Sequence, residues 1–250
     1  TSRPYLCIMS LLPWQNATVV DVVAHNAHTK SYFLAAEGVE VFAFKPGQFV
    51  TFDLPIADRP SQRMRSYSIA SAPGNNNVFE LVVTHKPNGA GSGYFFDHCS
   101  IGHQLKFRGP QGTFVLPDSF NLPIALICTG TGVAPFRSQV KYLLENNITI
   151  PEIHLVFGTR TLSDALYKEE FESLAAAHPH FHYHLTLSRP DHNWKGKHGY
   201  VHELYTDICK NGTVDMDFFL CGWRMMVNEA RTRLQDLGYP KERVHLEVYD

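Results

Sequence analysis

Along the first half of the chain, apolar and polar positions alternate over short runs rich in Val, Thr, Phe and Tyr. Such alternation puts one face of each run in a core and the other toward polar surroundings, and it predicts strands over residues 17–24, 29–35, 48–53, 62–70, 78–84 and 104–108. Between them sit Pro46-Gly47, Pro73-Gly74-Asn75, Pro87-Asn88-Gly89 and Gly109-Pro110, which are turn-forming combinations. Short strands at this spacing predict a closed or nearly closed antiparallel barrel. One short helix is expected over residues 94–99, with Ser92 placed to cap it. After Leu116-Pro117-Asp118 the pattern changes. Solid apolar runs at 124–128, 153–157, 181–187, 218–221 and 244–248 alternate with helix-period stretches at 135–146, 167–178, 199–209 and 225–237. That is the pattern of a parallel sheet covered on both faces. The expectation is two domains, an antiparallel β-barrel over residues 1–120 and an α/β domain over residues 121–250.

Chemistry concentrates at two kinds of place. Within the fourth predicted strand, Arg65, Tyr67 and Ile69 share one face while Ser66, Ser68 and Ala70 share the other. A guanidinium beside a flat ring suits a ligand with a pyrophosphate and a planar head. In the second domain, Gly130-Thr131-Gly132 lies between a buried strand and a helix opened by Pro135. There backbone N–H groups and the absence of side chains favour phosphate. The turn lacks both the full GxGxxG spacing and the Lys-Ser/Thr of a P-loop, so a kinase or ATPase is not indicated. Further polar clusters stand past later strands: Gly158-Thr159-Arg160, then Ser188-Arg189 with Lys197 and Tyr200 downstream, Cys221-Gly222, and the ending Glu247-Val248-Tyr249-Asp250.

Composition narrows the field. With 250 residues and a net charge of −2, the chain has no basic stripe for nucleic acid. It has no apolar run of about 18 residues to span a bilayer. Residues 1–14 lack a signal-peptide pattern, so a cytoplasmic location is expected. Cys7, Cys99, Cys128, Cys209 and Cys221 are scattered, which argues against disulfides, a zinc site or an iron–sulfur cluster. His178, His180, His182 and His184 alternate with apolar residues as a half-buried strand does, and no metal site is expected from them.

Taken together, Arg65-Ser66-Tyr67-Ser68, Gly91-Ser92, Gly130-Thr131-Gly132-Val133-Ala134-Pro135, Cys221-Gly222 and Glu247-Val248-Tyr249 resemble the ferredoxin–NADP reductase superfamily over essentially the whole chain. Residues 166–171 and Ser188-Arg189 are similar to its plant-type members. The resemblance implies a flavin, FAD rather than FMN, held between barrel and nucleotide domain. It implies Arg65 on flavin phosphate, Tyr67 stacked on the ring, Ser66 beside them and Ser68 near flavin N5. Gly91, Ser92 and Gly93 would cradle the pyrophosphate, with Val82, Val83 and Thr84 lining the ring and chain. Tyr249 would cover the opposite ring face, with Cys221 and Glu247 flanking hydride transfer. In plant-type members the aromatic residue is last, whereas Asp250 follows here.

Ser188, Arg189, Arg160 and Lys197 favour NADP over NAD, with Asp191 as the opposing feature. The implied activity is hydride transfer from NAD(P)H to flavin and electron delivery to a separate ferredoxin, flavodoxin or oxygenase component. Arg59, Arg63, Lys86 and Lys106 are candidates for a docking patch on the barrel. A free-standing flavin or ferric reductase, and a non-catalytic flavin-bound sensor or subunit, are the alternatives.

Overall fold

A computed structural model describes residues 12–249. Cys7, most of the N-terminal segment and Asp250 lie outside the described residues. Six antiparallel strands form the first sheet: β1 (Gln15–Asn26), β2 (Thr29–Ala36), β3 (Phe49–Asp53), β4 (Met64–Ser68), β5 (Val78–Thr84) and β6 (Gln104–Gln111), in the order β4-β3-β6-β1-β2-β5. The two ends meet just past β4. Ile69 bridges Leu81, and the Ala70 N–H donates to the Glu80 carbonyl at 2.8 Å. The sheet therefore closes into a barrel, which removes exposed strand edges.

Inside the barrel, alternate residues interdigitate. Tyr32, Leu34, Phe52, Ile69, Phe79, Leu81, Val83 and Phe107 are fully or almost fully buried. Two sequence expectations change here. Gln62 and Arg63 belong to a single-turn helix, α1 (Pro60–Arg63), opened by its proline, so the fourth strand begins at Met64. Helix α2 (Ala90–His98) starts four residues earlier than expected, with Gly89 at its N-cap. Ser92 is inside the first turn, where its hydroxyl donates to the Gly89 carbonyl (3.2 Å) and accepts from the Lys86 N–H (3.0 Å). Gly91 and Gly93 disfavour helix by propensity. Packing of Phe95 against Tyr32, Phe52 and Tyr67 overrides it.

The second sheet is parallel throughout. Its strands β7 (Ile124–Thr129), β8 (Ile153–Thr159), β9 (Phe181–Leu187), β10 (Lys197–His198), β11 (Asp217–Trp223) and β12 (Val244–Tyr249) lie in the order β10-β9-β8-β7-β11-β12. The short β10 was not anticipated from the sequence. Helices α3 (Val133–Glu145) and α4 (Lys168–Ala177) contribute to the core on one face. Helices α5 (Val201–Ile208) and α6 (Arg224–Asp236) contribute to the core on the other. The chain enters at β7, builds outward to β10, then crosses back to β11. This reversal opens a crevice between β7 and β11 at their carboxyl ends. No described helix is long and apolar enough to cross a membrane.

The two sheets share one core. Ala70, Val82 and Phe114 from the barrel side pack in the same cluster as Val133, Phe136 and Cys221. A polar network crosses the same seam. Arg137 of α3 contacts Glu80 of β5 at 2.7 Å, grips Glu170 of α4 through two nitrogens (2.6 and 3.2 Å) and donates to the Ala70 carbonyl at 3.0 Å. Tyr167 and Ser31 both donate to the other oxygen of Glu80, at 2.7 and 2.6 Å. Glu80 is 3% exposed, so its charge depends on these partners. Breaking one side of such a pair costs about 3–5 kcal/mol, because the survivor stays buried and uncompensated. We expect Arg137→Leu to lose about that much in urea unfolding, and the added Glu80→Leu to restore part of it. A loss under about 1 kcal/mol would mean that water reaches the seam.

Candidate active site at the domain seam

Ser68 ends β4 at the barrel's closing edge, and β12 brings Glu247 and Tyr249 to the same place. Tyr249 donates a hydrogen bond to Ser68 Oγ at 2.5 Å, and Ser68 donates onward to Glu247 Oε2 at 3.3 Å. Cys221 is paired with Glu247 across β11 and β12. Tyr249, Ser68 and Glu247 thus form one hydrogen-bonded chain across the seam, with Cys221 beside Glu247 in the ladder. Burial governs their protonation. It pushes the Cys221 thiol and the Tyr249 phenol well above their ordinary ranges, so both stay neutral. It also pushes Glu247 up to about 7, against the opposing hydrogen bond from Ser68.

On the barrel, Arg65 Nη1 donates to the carbonyls of Gln62 (2.9 Å) and Met64 (2.7 Å). Its side chain crosses the first turn of α2. A Cβ on Gly91 would stand 2.7 Å from Arg65 Cγ, so glycine is what lets the arginine lie there. Tyr67 packs edge-on against Phe95 (5.0 Å between centroids) and Phe52 (6.1 Å). Beside α2 lies an open cleft of about 460 Å³, lined by residues including Pro55, His85, Asn88, Gly89 and Gly93. Ser66 bonds Thr51 (2.9 Å) and Thr84 bonds Thr29 (2.9 Å). Val82 faces the seam, whereas Val83 points into the barrel core and away from it.

In the nucleotide domain, Gly130 adopts φ +54° and opens a single 3₁₀ turn, Gly130–Gly132, ahead of α3. Pro135 sits in the first turn of α3, where a missing N–H costs nothing. Gly132 has a packing role that the sequence did not show. A Cβ there would meet the Cys221 carbonyl at 2.4 Å, so this glycine lets the turn press on β11. Gly222, at φ +136°, makes the matching approach to Thr129. Past β8 and β9 the ladder continues. The Ser188 N–H bonds the Thr159 carbonyl (2.9 Å), and the Arg189 N–H bonds the Arg160 carbonyl (2.8 Å). These bonds set two exposed arginines side by side, with exposed Lys197 following on the neighbouring β10. Tyr200 is 72% exposed. Asp191 accepts the Asn193 N–H at 2.8 Å within its own turn.

Among the docking candidates, Arg63 is paired with Asp53 (2.7 Å) and Lys106 lies 5.3 Å above the Trp14 ring, while Arg59 and Lys86 are exposed. Trp223 was missed by sequence reasoning. It is 55% exposed and stands beside Gly130, with its N–H 3.4 Å from Thr129 Oγ1. Its signal was its place directly after Cys221-Gly222.

Known proteins decide the family. Residues 16–116 match the oxidoreductase FAD-binding domain, and residues 126–232 match the oxidoreductase NAD-binding domain. The chain is 36% identical over 224 residues to ferredoxin–NADP reductase B of Sorangium cellulosum, covering 87% of this chain and 90% of that protein. The chain belongs to the ferredoxin–NADP reductase superfamily. It is a flavin oxidoreductase of the NAD(P)H-dependent class, with FAD and a nicotinamide nucleotide as its cofactors. The anthranilate 1,2-dioxygenase electron transfer component of Acinetobacter baylyi is 29% identical over 235 residues, 93% of this chain and 66% of that one. The crystal structure of the Amycolatopsis cytochrome P450 reductase GcoB superposes with a TM-score of 0.84 at 27% identity, covering 95% of this chain and 70% of the other.

Two outcomes follow from this geometry. Gly132→Ala should be the more costly of two glycine variants, at about 3 kcal/mol, through overpacking against β11 backbone. Gly130→Ala, which meets nothing closer than Trp223 at 3.6 Å, should cost about 1–2 kcal/mol from its left-handed φ alone. Thermal unfolding ranks the two, and the reverse order would contradict the role assigned to Gly132. For Glu247, the folded pKa lies above the unfolded value of about 4.3. The cost of ionising it is therefore absent at low pH and grows as pH rises to about 7. Glu247→Gln should be more stable than the wild type by about 2 kcal/mol at pH 8, allowing for partial exposure, with the gain shrinking toward pH 5. A gain independent of pH in urea unfolding would exclude a buried, reluctant carboxylate.

Proposed function

We propose that this reductase takes electrons as hydride from NADPH and hands them to a separate redox carrier, a ferredoxin, flavodoxin or oxygenase component. The observation that carries the proposal is the convergence of Ser68 with Cys221, Glu247 and Tyr249 where the flavin-binding barrel meets the carboxyl ends of the parallel strands. The flavin domain is taken as residues 1–120 and the nucleotide domain as 121–250.

The residues present suit FAD. Arg65, fixed over Gly91 by two carbonyls, offers a cation to the pyrophosphate at the start of α2. Tyr67, propped by Phe95 and Phe52, supplies a flat wall. The cleft beside α2, with His85 and Asn88, has room for the adenylate half. When bound, the flavin accepts a hydride and releases electrons one at a time. The protein's share is orientation and proton placement. Ser68 would present its hydroxyl to the bound flavin, and Glu247, balanced near neutral pH, would exchange a proton through it. Tyr249 would cover the bound ring and would give up its bond to Ser68 to admit nicotinamide. The seam's shared core keeps bulk water out.

NADPH is favoured because Arg160 and Arg189 are tied side by side while Asp191 is occupied within its own turn. The relatives support a carrier as acceptor, since the Acinetobacter baylyi protein is an electron transfer component of a dioxygenase. The test is anaerobic stopped-flow reduction of the bound flavin. NADPH should reduce it at least about tenfold faster than NADH at equal concentration. Arg189→Ala should weaken NADPH binding about 10- to 100-fold while sparing NADH, the value of a lost charge-assisted bond. Preference for NADH would overturn the nucleotide assignment. Turnover with free flavins or ferric chelates, but without saturation by any carrier protein, would overturn the acceptor assignment.

A further inference from the structure

At the amino ends of β8 and β9, far along the strands from Cys221 and Glu247, three histidines occupy one face of the sheet. By alternation His154 shares a face with Val156, which packs with Val201 and Leu204 of α5. His182 stands directly opposite His154 in the parallel ladder, and their rings stack at 4.7 Å with planes 19° apart. Glu152, just ahead of β8, completes the group. One of its carboxylate oxygens lies 3.1 Å from His154 Nε2 and 3.9 Å from His182 Nε2. One donor atom from each of the three residues lies within 4.8 Å of the other two. Behind them, His184 Nε2 stands 3.2 Å from His154 Nδ1.

We infer that Glu152, His154 and His182 form a binding site for a divalent transition-metal ion of the zinc class. Two imidazoles and one carboxylate are a donor set that suits zinc, whereas calcium and magnesium prefer oxygen alone. A tetrahedral zinc ion holds its donors about 3.4 Å apart, a spacing that the two carboxylate distances bracket. His184 is a positioning residue. By engaging His154 Nδ1 it directs the Nε2 lone pair toward Glu152 and the ion. Glu152 and His182 are 52% and 37% exposed, so the fourth position opens to water and the ion has a path in.

The ion's role here is structural. Strand β10 pairs only with Thr186 and Leu187, so the first half of β9 is an edge of the sheet. A bound ion ties that edge to the segment entering β8. The alternating histidines alone gave no reason to expect a metal site; the decisive partners, Glu152 and His154, come from the start of the neighbouring strand and the residue before it.

The test is calorimetric titration of chelator-treated, flavin-loaded full chain with zinc chloride. One saturable site is expected, with a rise in melting temperature on saturation. Glu152→Gln and His182→Asn should each weaken binding at least about tenfold without changing flavin reduction by NADPH. His184→Asn should weaken zinc about tenfold and shift the visible spectrum of the cobalt(II)-loaded protein, while leaving the metal-free melting temperature unchanged. The double variant His178→Ala/His180→Ala should bind as the wild type does. No saturable binding, or a loss that follows His178 and His180 instead of His182, would overturn the site.

Discussion

A single buried guanidinium holds the molecule in its working shape. Arg137 gathers Glu80 from the barrel, Glu170 from α4 and the Ala70 carbonyl into one cluster, with its guanidinium 4.2 Å over the Tyr167 ring. Separating the domains would strip Glu80 of Arg137 and Tyr167 and leave it only the Ser31 hydroxyl of its own barrel. The bond to Ala70 matters most for function. Ala70 lies two residues past Ser68 at the point where the barrel closes on β5, so anchoring it fixes Ser68 relative to β12. The position of a hydroxyl on one domain against a carboxylate and a phenol on the other is thus set by a contact that touches none of them.

Much of this was legible in the chain. Period-two alternation located the barrel strands, and solid apolar runs located the parallel ones, because burial on one face or two leaves different patterns. Polar clusters after successive parallel strands pointed to the carboxyl-end crevice, and Ser68, Cys221, Glu247 and Tyr249 do meet there. What could not be read was decided by long-range packing. Helix α2 contains two glycines that argue against it locally, and only Phe95 entering the barrel core makes it form. Val83 and Val82 are adjacent in sequence, but only the second faces the seam. That Gly132 also packs against the Cys221 carbonyl depends on how β11 lies beside the turn, and no local pattern shows it. Arg137 and Glu80 carried no motif, since their pairing depends on how two separately formed domains meet.

The parallel sheet is put to different uses at its two ends. At the carboxyl ends stand the Gly130 turn and the neighbouring Arg160 and Arg189, the surface proposed for the nucleotide. At the amino ends of β8 and β9, stacked imidazoles beside Glu152 make a surface for a cation. The separation suits the division of labour, because a metal ion placed near Glu247 would compete for the carboxylate whose proton sits in balance near neutral pH.

The central claim is that Ser68 and Glu247, contributed by different domains, act on the flavin as one unit. The most direct measurement is a double-mutant cycle on the single-turnover rate of flavin reduction, using Ser68→Ala, Glu247→Gln and the pair together. A coupled site predicts that the double variant is about as slow as the slower single variant, because removing either partner already breaks the relay. Independent effects that multiply in the double variant would contradict it.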